Sequence, residues 1–207
     1  MKFLNSKIEF PDVKYATREG IVAVGGDLSP ERLLLAYKRG IFPWFEDDNA
    51  ILWWCPDPRF VLFPEELKIS KSMKHVLRNC NFTVTINQAF PEVIEACAQI
   101  KRNGQTGTWI TKNMTEAYIE LHRMGFAKSI EVWENEALVG GFYGLDLGNN
   151  VFCGESMFSK VSNASKAAFI TFVQNTNYKI IDCQIHTHHL ESLGGCSISR
   201  EAYLKYL

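Results

Sequence analysis

The segment IIDCQIHTHHLESLGGC, residues 180–196, concentrates side chains that often carry chemistry. Its cysteines, histidines and carboxylates could bind a metal or pair a thiol nucleophile with a base. The spacing C-x2-H-x-H-H-x6-C matches none of the usual zinc patterns, so we predict no metal site. We interpret His186, His188 and His189 as a polar loop, and Cys183, which lies among isoleucines, as a small buried residue.

Two polar residues of the same segment interrupt an otherwise apolar strand. Because successive side chains of a strand alternate in direction, Asp182 and Gln184 should share one face while Cys183 points to the other. Glu155 interrupts the apolar strand FCGESMF in the same way. Buried polar groups need partners, so these residues form either a structural hydrogen-bonded pair or the lining of a cavity. Because two core strands are interrupted, we favour the cavity.

The elements that must position these residues follow an α+β order. Helices are predicted for DLSPERLLLAYKRG, SKSMKHVLRN, AFPEVIEACAQIKRN, TKNMTEAYIELHRMG and NASKAAFITFVQNT. Strands are predicted for GIVAVGG, ILWW, FTVTI, SIEVWE, ALVGGFYGLDL, NVFCGESMF and YKIIDCQI. This order predicts a mixed, mainly antiparallel sheet of the acetyltransferase-like (GNAT) type. Prolines in CPDPR predict a boundary between a small N-terminal domain, 1–57, and a second domain, 58–207.

Composition limits the classes of function. The 207 residues are 46% hydrophobic and carry a net charge of −1, so nucleic-acid binding would need a local basic patch. Lys71, Lys74 and Arg78 share one face of a predicted helix, which is either a phosphate contact or a solvated face. No apolar run has the length of a membrane span, and no signal peptide is recognisable. We therefore expect a cytoplasmic protein with reduced cysteines.

The chain resembles the leucyl/phenylalanyl-tRNA–protein transferases from about Phe10 to its last residue. The matching stretches include VGGDLSPERLLLAYKRGIFPWF, ILWWCPDPRFVLFPEELKISKSMK, GTWIT, SIEVW, LVGGFYG, FCGESMFS, NASKAAF and IIDCQ. The resemblance implies transfer of Leu, Phe or Met from aminoacyl-tRNA to the N-terminal amine of proteins that begin with Arg or Lys. It also implies a role in the bacterial N-degron pathway of protein degradation. We expect no cofactor, no membrane partner and a monomer.

The resemblance also implies roles for particular residues. Asp182 and Gln184 match the family's catalytic pair, and Glu155 matches a residue near the acceptor's basic N-terminus. Trp44 and Trp109 match aromatic residues near the tRNA 3′ end. The walls of the amino-acid pocket are matched by Phe142, Met157, Phe169, Phe172 and Ile181.

Three other functions remain open at this stage. A coenzyme A-dependent N-acetyltransferase would share the fold, but the helix NASKAAF lacks the Gly-rich turn that usually binds the pyrophosphate. A non-catalytic module for tRNA or peptide binding would not need Asp182. A zinc hydrolase would need bound metal.

Overall fold

The structure is a computed structural model that describes residues 2–100 and 108–207. Its strands are β1 (Lys2–Leu4), β2 (Ile21–Gly25), β3 (Phe42–Pro43), β4 (Leu52–Trp54), β5 (Arg59–Leu62), β6 (Thr83–Ile86), β7 (Ala127–Glu134), β8 (Ala137–Asp146), β9 (Val151–Ser159), β10 (Ile180–Gln184) and β11 (Cys196–Ile198). Its helices are α1 (Pro30–Lys38), α2 (Lys71–Asn79), α3 (Phe90–Gln99), α4 (Lys112–Arg123), α5 (Ala164–Gln174), α6 (His188–Glu191) and α7 (Arg200–Leu204), with 3-10 turns at Val13–Tyr15 and Pro64–Glu66. The predicted α+β class is confirmed.

The strands form two sheets. A four-stranded sheet has the order β1-β2-β4-β3, and a seven-stranded sheet has the order β11-β5-β10-β9-β8-β7-β6. In the larger sheet the β9–β10 pair is parallel and the other pairs are antiparallel, so the predicted mixed, mainly antiparallel sheet is confirmed. Within the described residues, no helix is long and apolar enough to cross a bilayer.

Local sequence signals account for most element ends. Pro30 occupies the first turn of α1, and Gly40, at φ 72°, follows its last turn. The Ser70 side chain accepts a hydrogen bond from the backbone N–H of Met73 and so caps α2. The turn between β7 and β8 has positive φ at both central residues, 135 and 136, as a tight type I′ hairpin requires.

Side-chain alternation along β8 builds a core on each face of the larger sheet. Phe142 packs against Phe169 and Phe172 of α5, with ring centroids 5.7 and 5.4 Å away. Its neighbour Tyr143 points to the opposite face, where it contacts Phe90 of α3 and Tyr118 of α4. The sheet is therefore covered by α5 on one side and by α3 and α4 on the other.

The chain passes from the smaller sheet to the larger one between Trp54 and Arg59. The larger hydrophobic core nevertheless spans both parts, because Phe10 and Trp53 share it with Val93 and Tyr118. Division into domains 1–57 and 58–207 stays a prediction.

Candidate functional site

A cavity opens where β9 and β10 separate. The two strands pair in parallel only as far as Asp182, which lies opposite Cys153. Beyond that point, Gly154–Ser159 and Cys183–Ile185 line a cavity of about 480 Å³. Diverging carboxyl ends of parallel strands are a common position for ligands, because the strands leave a crevice between them.

Two β-bulges direct the polar side chains at this cavity. Tyr143 of β8 pairs with Ser156 and Gly144 pairs with Gly154, so Glu155 is the extra residue of β9. On β10, Asp182 pairs with Val61 and Gln184 with Phe60, which leaves Cys183 as the extra residue. A bulge breaks side-chain alternation and re-aims its neighbours.

The bulge in β10 corrects one prediction. Strict alternation predicted that Cys183 and Gln184 would lie on opposite faces, but both line the cavity. Gln184 has a φ of 62°, which turns it away from the extended strand path. Burial, followed by the charge of Asp182, raises the pKa of the Cys183 thiol far above its usual value. Cys183 is therefore a poor nucleophile, as the sequence analysis predicted.

Asp182 is fully buried, with its carboxylate held by three side-chain donors. Arg59 Nε donates to Oδ1 at 2.7 Å, and Arg59 Nη2 donates to Oδ2 at 2.6 Å. The Tyr203 hydroxyl of α7 donates to Oδ2 at 2.8 Å. Phe42 and Tyr203 lie against the guanidinium, at 4.7 and 4.6 Å from their ring centroids. This paired, buried carboxylate is satisfied within the protein, as a buried charge must be.

Asp182 reaches Gln184 through the backbone. The Gln184 N–H donates to Asp182 Oδ1 at 2.9 Å, which fixes the bulged conformation at residue 184. The Gln184 side chain points elsewhere, since its Nε2 donates to Glu155 Oε1 at 2.8 Å. With Nε2 engaged, Oε1 is the amide atom of Gln184 suited to accept a hydrogen bond from a ligand.

Glu155 is the one carboxylic acid among the described residues that line the cavity. The Tyr118 hydroxyl of α4 donates to its Oε2 at 3.2 Å, and Tyr118 shares a short hydrogen bond with Tyr37 of α1. Burial raises the pKa of Glu155 to about 8, because the surroundings disfavour the charged form. The charge of Asp182 also raises this pKa, whereas hydrogen bonds from Tyr37 and Tyr118 lower it.

The remaining cavity wall is apolar. The residues predicted for an amino-acid pocket that do line it are Phe142, Met157, Phe169 and Ile181. Phe172 packs behind Phe142 and against Phe152, at a centroid distance of 4.7 Å from the latter, so it supports the wall from the core.

Aromatic side chains stand at another side of the same cavity. Trp44 and Trp109, predicted to lie near a tRNA 3′ end, both line it. Trp44 is braced by Trp54, whose Nε1 donates to the Trp44 carbonyl at 2.7 Å and whose ring lies 5.3 Å away. The structure thus brings Glu155, Gln184 and most of the predicted apolar and aromatic residues to one cavity. The prediction that Asp182 shares a face with Gln184 and lines this cavity is wrong, because the bulge turns Gln184 to the cavity while Asp182 stays buried against Arg59 and Tyr203.

The predicted basic residues lie on a separate surface. The α2 basic face consists of Lys71, Lys74 and Arg78, which are exposed on α2, while Met73 of the same helix is buried. The α2 helix packs on α5, behind the apolar wall.

Sequence reasoning missed four residues of the site: Arg59, Tyr203, Tyr118 and Tyr37. Arg59 had a recognisable signal, because an arginine that opens the apolar strand RFVL must find a buried partner. The three tyrosines had no such signal, because tyrosine is common on the buried face of an amphipathic helix whether or not its hydroxyl binds a site residue.

Fold and site together define an α+β protein with a deep apolar pocket and a buried, hydrogen-bonded carboxylate at its wall. A family model described as leucyl/phenylalanyl-tRNA protein transferase matches residues 61–207, and a model of that family's N-terminal domain matches residues 26–57. The chain belongs to the leucyl/phenylalanyl-tRNA–protein transferase family and is therefore an aminoacyltransferase.

Curated relatives carry the same family name. One from Flavobacterium johnsoniae is 59% identical over 210 residues, covering 100% of this chain and 99% of the relative. One from Escherichia coli O139:H28 is 53% identical over 205 residues, covering 97% and 86%. One from Syntrophus aciditrophicus is 52% identical, covering 97% and 84%.

Solved structures are similar at a lower level. A conserved protein of unknown function from Bacteroides thetaiotaomicron gives a TM-score of 0.47 at 14% identity, covering 89% of this chain and 64% of that one. A GCN5-related N-acetyltransferase from Kribbella flavida gives a TM-score of 0.38 at 9% identity, covering 83% of this chain and 61% of that one. Both scores are below 0.5, which is too low a similarity to assign a function.

Proposed function

We propose that this protein transfers leucine or phenylalanine from aminoacyl-tRNA to the N-terminal amine of proteins that begin with Arg or Lys. Methionine is a further donor in this proposal. The observation that carries it is one cavity where an apolar side-chain pocket meets Gln184 and Glu155. Membership of the transferase family supports the same reaction. The reaction consumes an activated ester, so it needs no ATP.

The apolar wall is suited to the donor side chain. Phe142, Met157, Phe169 and Ile181 offer aromatic and aliphatic surface without a charged group, which favours Leu, Phe and Met over polar amino acids. One methylene changes such binding by only about 1–3 kcal/mol, so discrimination among the three donors is incomplete. Trp44 and Trp109 offer surfaces on which the terminal adenine can stack.

Glu155 is proposed to bind and deprotonate the acceptor. The N-terminal amine has a pKa of about 8 and enters as an ammonium at neutral pH. Ionised Glu155, whose pKa is also about 8, can pair with that ammonium and take its proton. Because the two pKa values match, the proton transfer within the pair has little energetic cost. Gln184 Oε1 can accept a second N–H and orient the freed amine.

The bonds then change as in any aminolysis of an ester. The amine nitrogen attacks the carbonyl carbon, and the bond between that carbon and the ribose oxygen breaks. Glu155 returns its proton to the ribose oxygen, and the new amide nitrogen releases one proton to solvent. The products are a peptide bond and a free tRNA 3′ end. Positioning of the amine and the ester can contribute up to about 7–11 kcal/mol.

Asp182 is proposed to act by positioning. Its oxygens are engaged by Arg59, Tyr203 and the Gln184 backbone, so it holds the bulge that presents Gln184 to the cavity.

The proposed donor substrate indicates where the enzyme works, because aminoacyl-tRNA is a cytoplasmic molecule. We therefore propose a monomeric, cytoplasmic enzyme that marks proteins for the N-degron pathway. The α2 basic face is proposed to contact tRNA phosphates.

The first experiment is transfer of labelled phenylalanine from Phe-tRNA to a peptide that begins with Arg, without ATP or coenzyme A. Matched peptides carry an acetylated amine or begin with Glu. We expect label only on the peptide with a free amine and an N-terminal Arg. Transfer that requires coenzyme A would support the acetyltransferase alternative. Binding of tRNA without transfer would support the non-catalytic module.

A further inference from the structure

A cluster of three side chains lies on the outer side of the segment that closes the pocket. His186 Nε2 is 3.1 Å from Glu191 Oε2, and His188 Nδ1 is 3.3 Å from the same oxygen. The three ligand atoms all lie within 4.8 Å of one another. Cysteine and histidine spacing does not reveal this cluster, because its third member is the carboxylate of Glu191.

We propose that His186, His188 and Glu191 form a binding site for one divalent transition-metal cation of the zinc class. Two imidazole nitrogens and one carboxylate oxygen are ligands of borderline character that suit Zn²⁺. Neither a metalloenzyme activity nor the proposed transferase function is needed for the inference.

Two of the three distances between ligand atoms fit a zinc ion, and the third, between the two histidine nitrogens, is at most 4.8 Å and can be adjusted by rotation of the exposed His188 side chain. Zn–N and Zn–O bonds of about 2.0–2.2 Å in a tetrahedral site put neighbouring ligand atoms about 3.3–3.5 Å apart. The two nitrogen–oxygen distances, 3.1 and 3.3 Å, are close to that value without rearrangement of the backbone. A cation placed between these atoms would replace two hydrogen bonds by three coordination bonds.

Part of the site is held in place before any ion binds. The His186 ring packs edge-on against Phe60, at a centroid distance of 5.0 Å, and Phe60 is buried in β5. Glu191 belongs to α6, which the Thr187 side chain caps by accepting from the Leu190 N–H. His188 is 96% exposed and loses side-chain freedom on binding, so the site is weaker than a fully ordered one.

The same segment has an inner and an outer side. Ile185, Thr187, His189 and Leu190 line the pocket, whereas His186, His188 and Glu191 are exposed and do not line it. Exposure leaves the fourth tetrahedral position to water, as in zinc sites that are not purely structural. A bound ion would join the end of β10 to α6 across Thr187.

The test is calorimetric titration of the full chain with ZnCl₂, with the thiols kept reduced by a phosphine. We expect one saturable equivalent in the native protein. His188→Ala and Glu191→Gln should each weaken binding at least tenfold. His75→Ala is the matched control, because His75 is an exposed histidine on α2, outside the cluster. All variants should keep the native thermal midpoint, since the changed side chains are exposed.

Two further measurements identify the side chains that bind the metal and the segment of the chain in which they lie. Co²⁺ in the same site should absorb without a thiolate-to-metal charge-transfer band, which distinguishes it from binding by exposed Cys80 or Cys196. Hydrogen exchange should slow on Zn²⁺ addition mainly within residues 185–191. Binding that survives both substitutions, a thiolate band, or the lack of a saturable equivalent would each overturn the site.

Discussion

Replacing Glu155 by Gln should change the shape of the pH profile of transfer, as well as its height. In the proposed reaction, the productive complex forms from ionised Glu155 and a protonated acceptor amine. Both groups have a pKa near 8, so the native enzyme should show a bell-shaped profile of kcat/KM for the acceptor peptide. The Gln variant cannot take a proton and must use the neutral amine, so its rate should rise with pH to a plateau.

The expected size follows from the two ionisations. At pH 8 each group is half in its productive form, and at pH 7 or pH 9 one of them is only about one-tenth productive. The native kcat/KM at pH 7 and at pH 9 should therefore each be about one-third of its value at pH 8. In the Gln variant, kcat/KM should rise about tenfold from pH 7 to pH 9. Its absolute rate at pH 8 should be lower by about 10²-fold or more.

The assay is single-turnover transfer of labelled phenylalanine from Phe-tRNA to an Arg-starting peptide, with the peptide below saturation. Spontaneous hydrolysis of the aminoacyl ester, measured at each pH without enzyme, is the correction. A peptide whose terminal amine has a lower pKa is the internal control, because it should move only the alkaline side of the native profile.

The same rising profile in the native enzyme and the Gln variant would refute the proposed role of Glu155. That result would mean that the neutral amine is the reacting species in both and that Glu155 takes no proton. A native bell centred well below pH 7 would contradict the elevated pKa that burial gives to Glu155.

Three other outcomes follow from the site and its surroundings. Arg59→Met should lower the free energy of unfolding by about 3–5 kcal/mol in urea denaturation, because it leaves the buried Asp182 carboxylate unpaired. Combining it with Asp182→Asn should recover part of that loss, and simple additivity would contradict a direct pair. Tyr118→Phe removes a hydrogen bond that lowers the pKa of Glu155, so the acid side of the native pH profile should shift to higher pH; an unmoved acid side would contradict the contact. Charge reversal of the α2 basic face should weaken tRNA binding and flatten its dependence on salt, and an unchanged slope would show that this face is only solvated.

The periodicity of apolar residues, together with the residues that begin and end helices and strands, was sufficient to predict most of the fold. The strands of the β7–β9 meander are rich in apolar residues and are joined by turns with Asn and Gly, and α2 and α4 begin at side-chain caps. The short elements β1, β3, β5, α6, β11 and α7 were not predicted, because two to five residues give too little periodicity. The positions of β11 and α7, for example, depend on the pairing of β11 with β5 and on contacts of α7 with the core, which are non-local effects.

The candidate site was predictable in its residues and less so in its geometry. Polar residues that interrupt apolar strands identified Asp182, Gln184 and Glu155. Side-chain alternation alone could not show that β-bulges change the direction of these side chains, because a bulge depends on the register of the neighbouring strand. Arg59, which neutralises Asp182, lies 123 positions away in sequence, and nothing local links the two.

That long separation has a consequence for biosynthesis. The site depends on contacts that join Tyr37 to Tyr118, Glu155 to Gln184, and Asp182 to both Arg59 and Tyr203. During synthesis, β10, which carries Asp182 and Gln184, is complete before Tyr203 has been added. Until α7 has left the ribosome, Asp182 therefore lacks the hydrogen bond from the Tyr203 hydroxyl. Activity should thus switch on only when residue 203 has been made and has docked. Fragments that stop before β11 would leave one edge of β5 unpaired, and exposed strand edges of this kind promote aggregation.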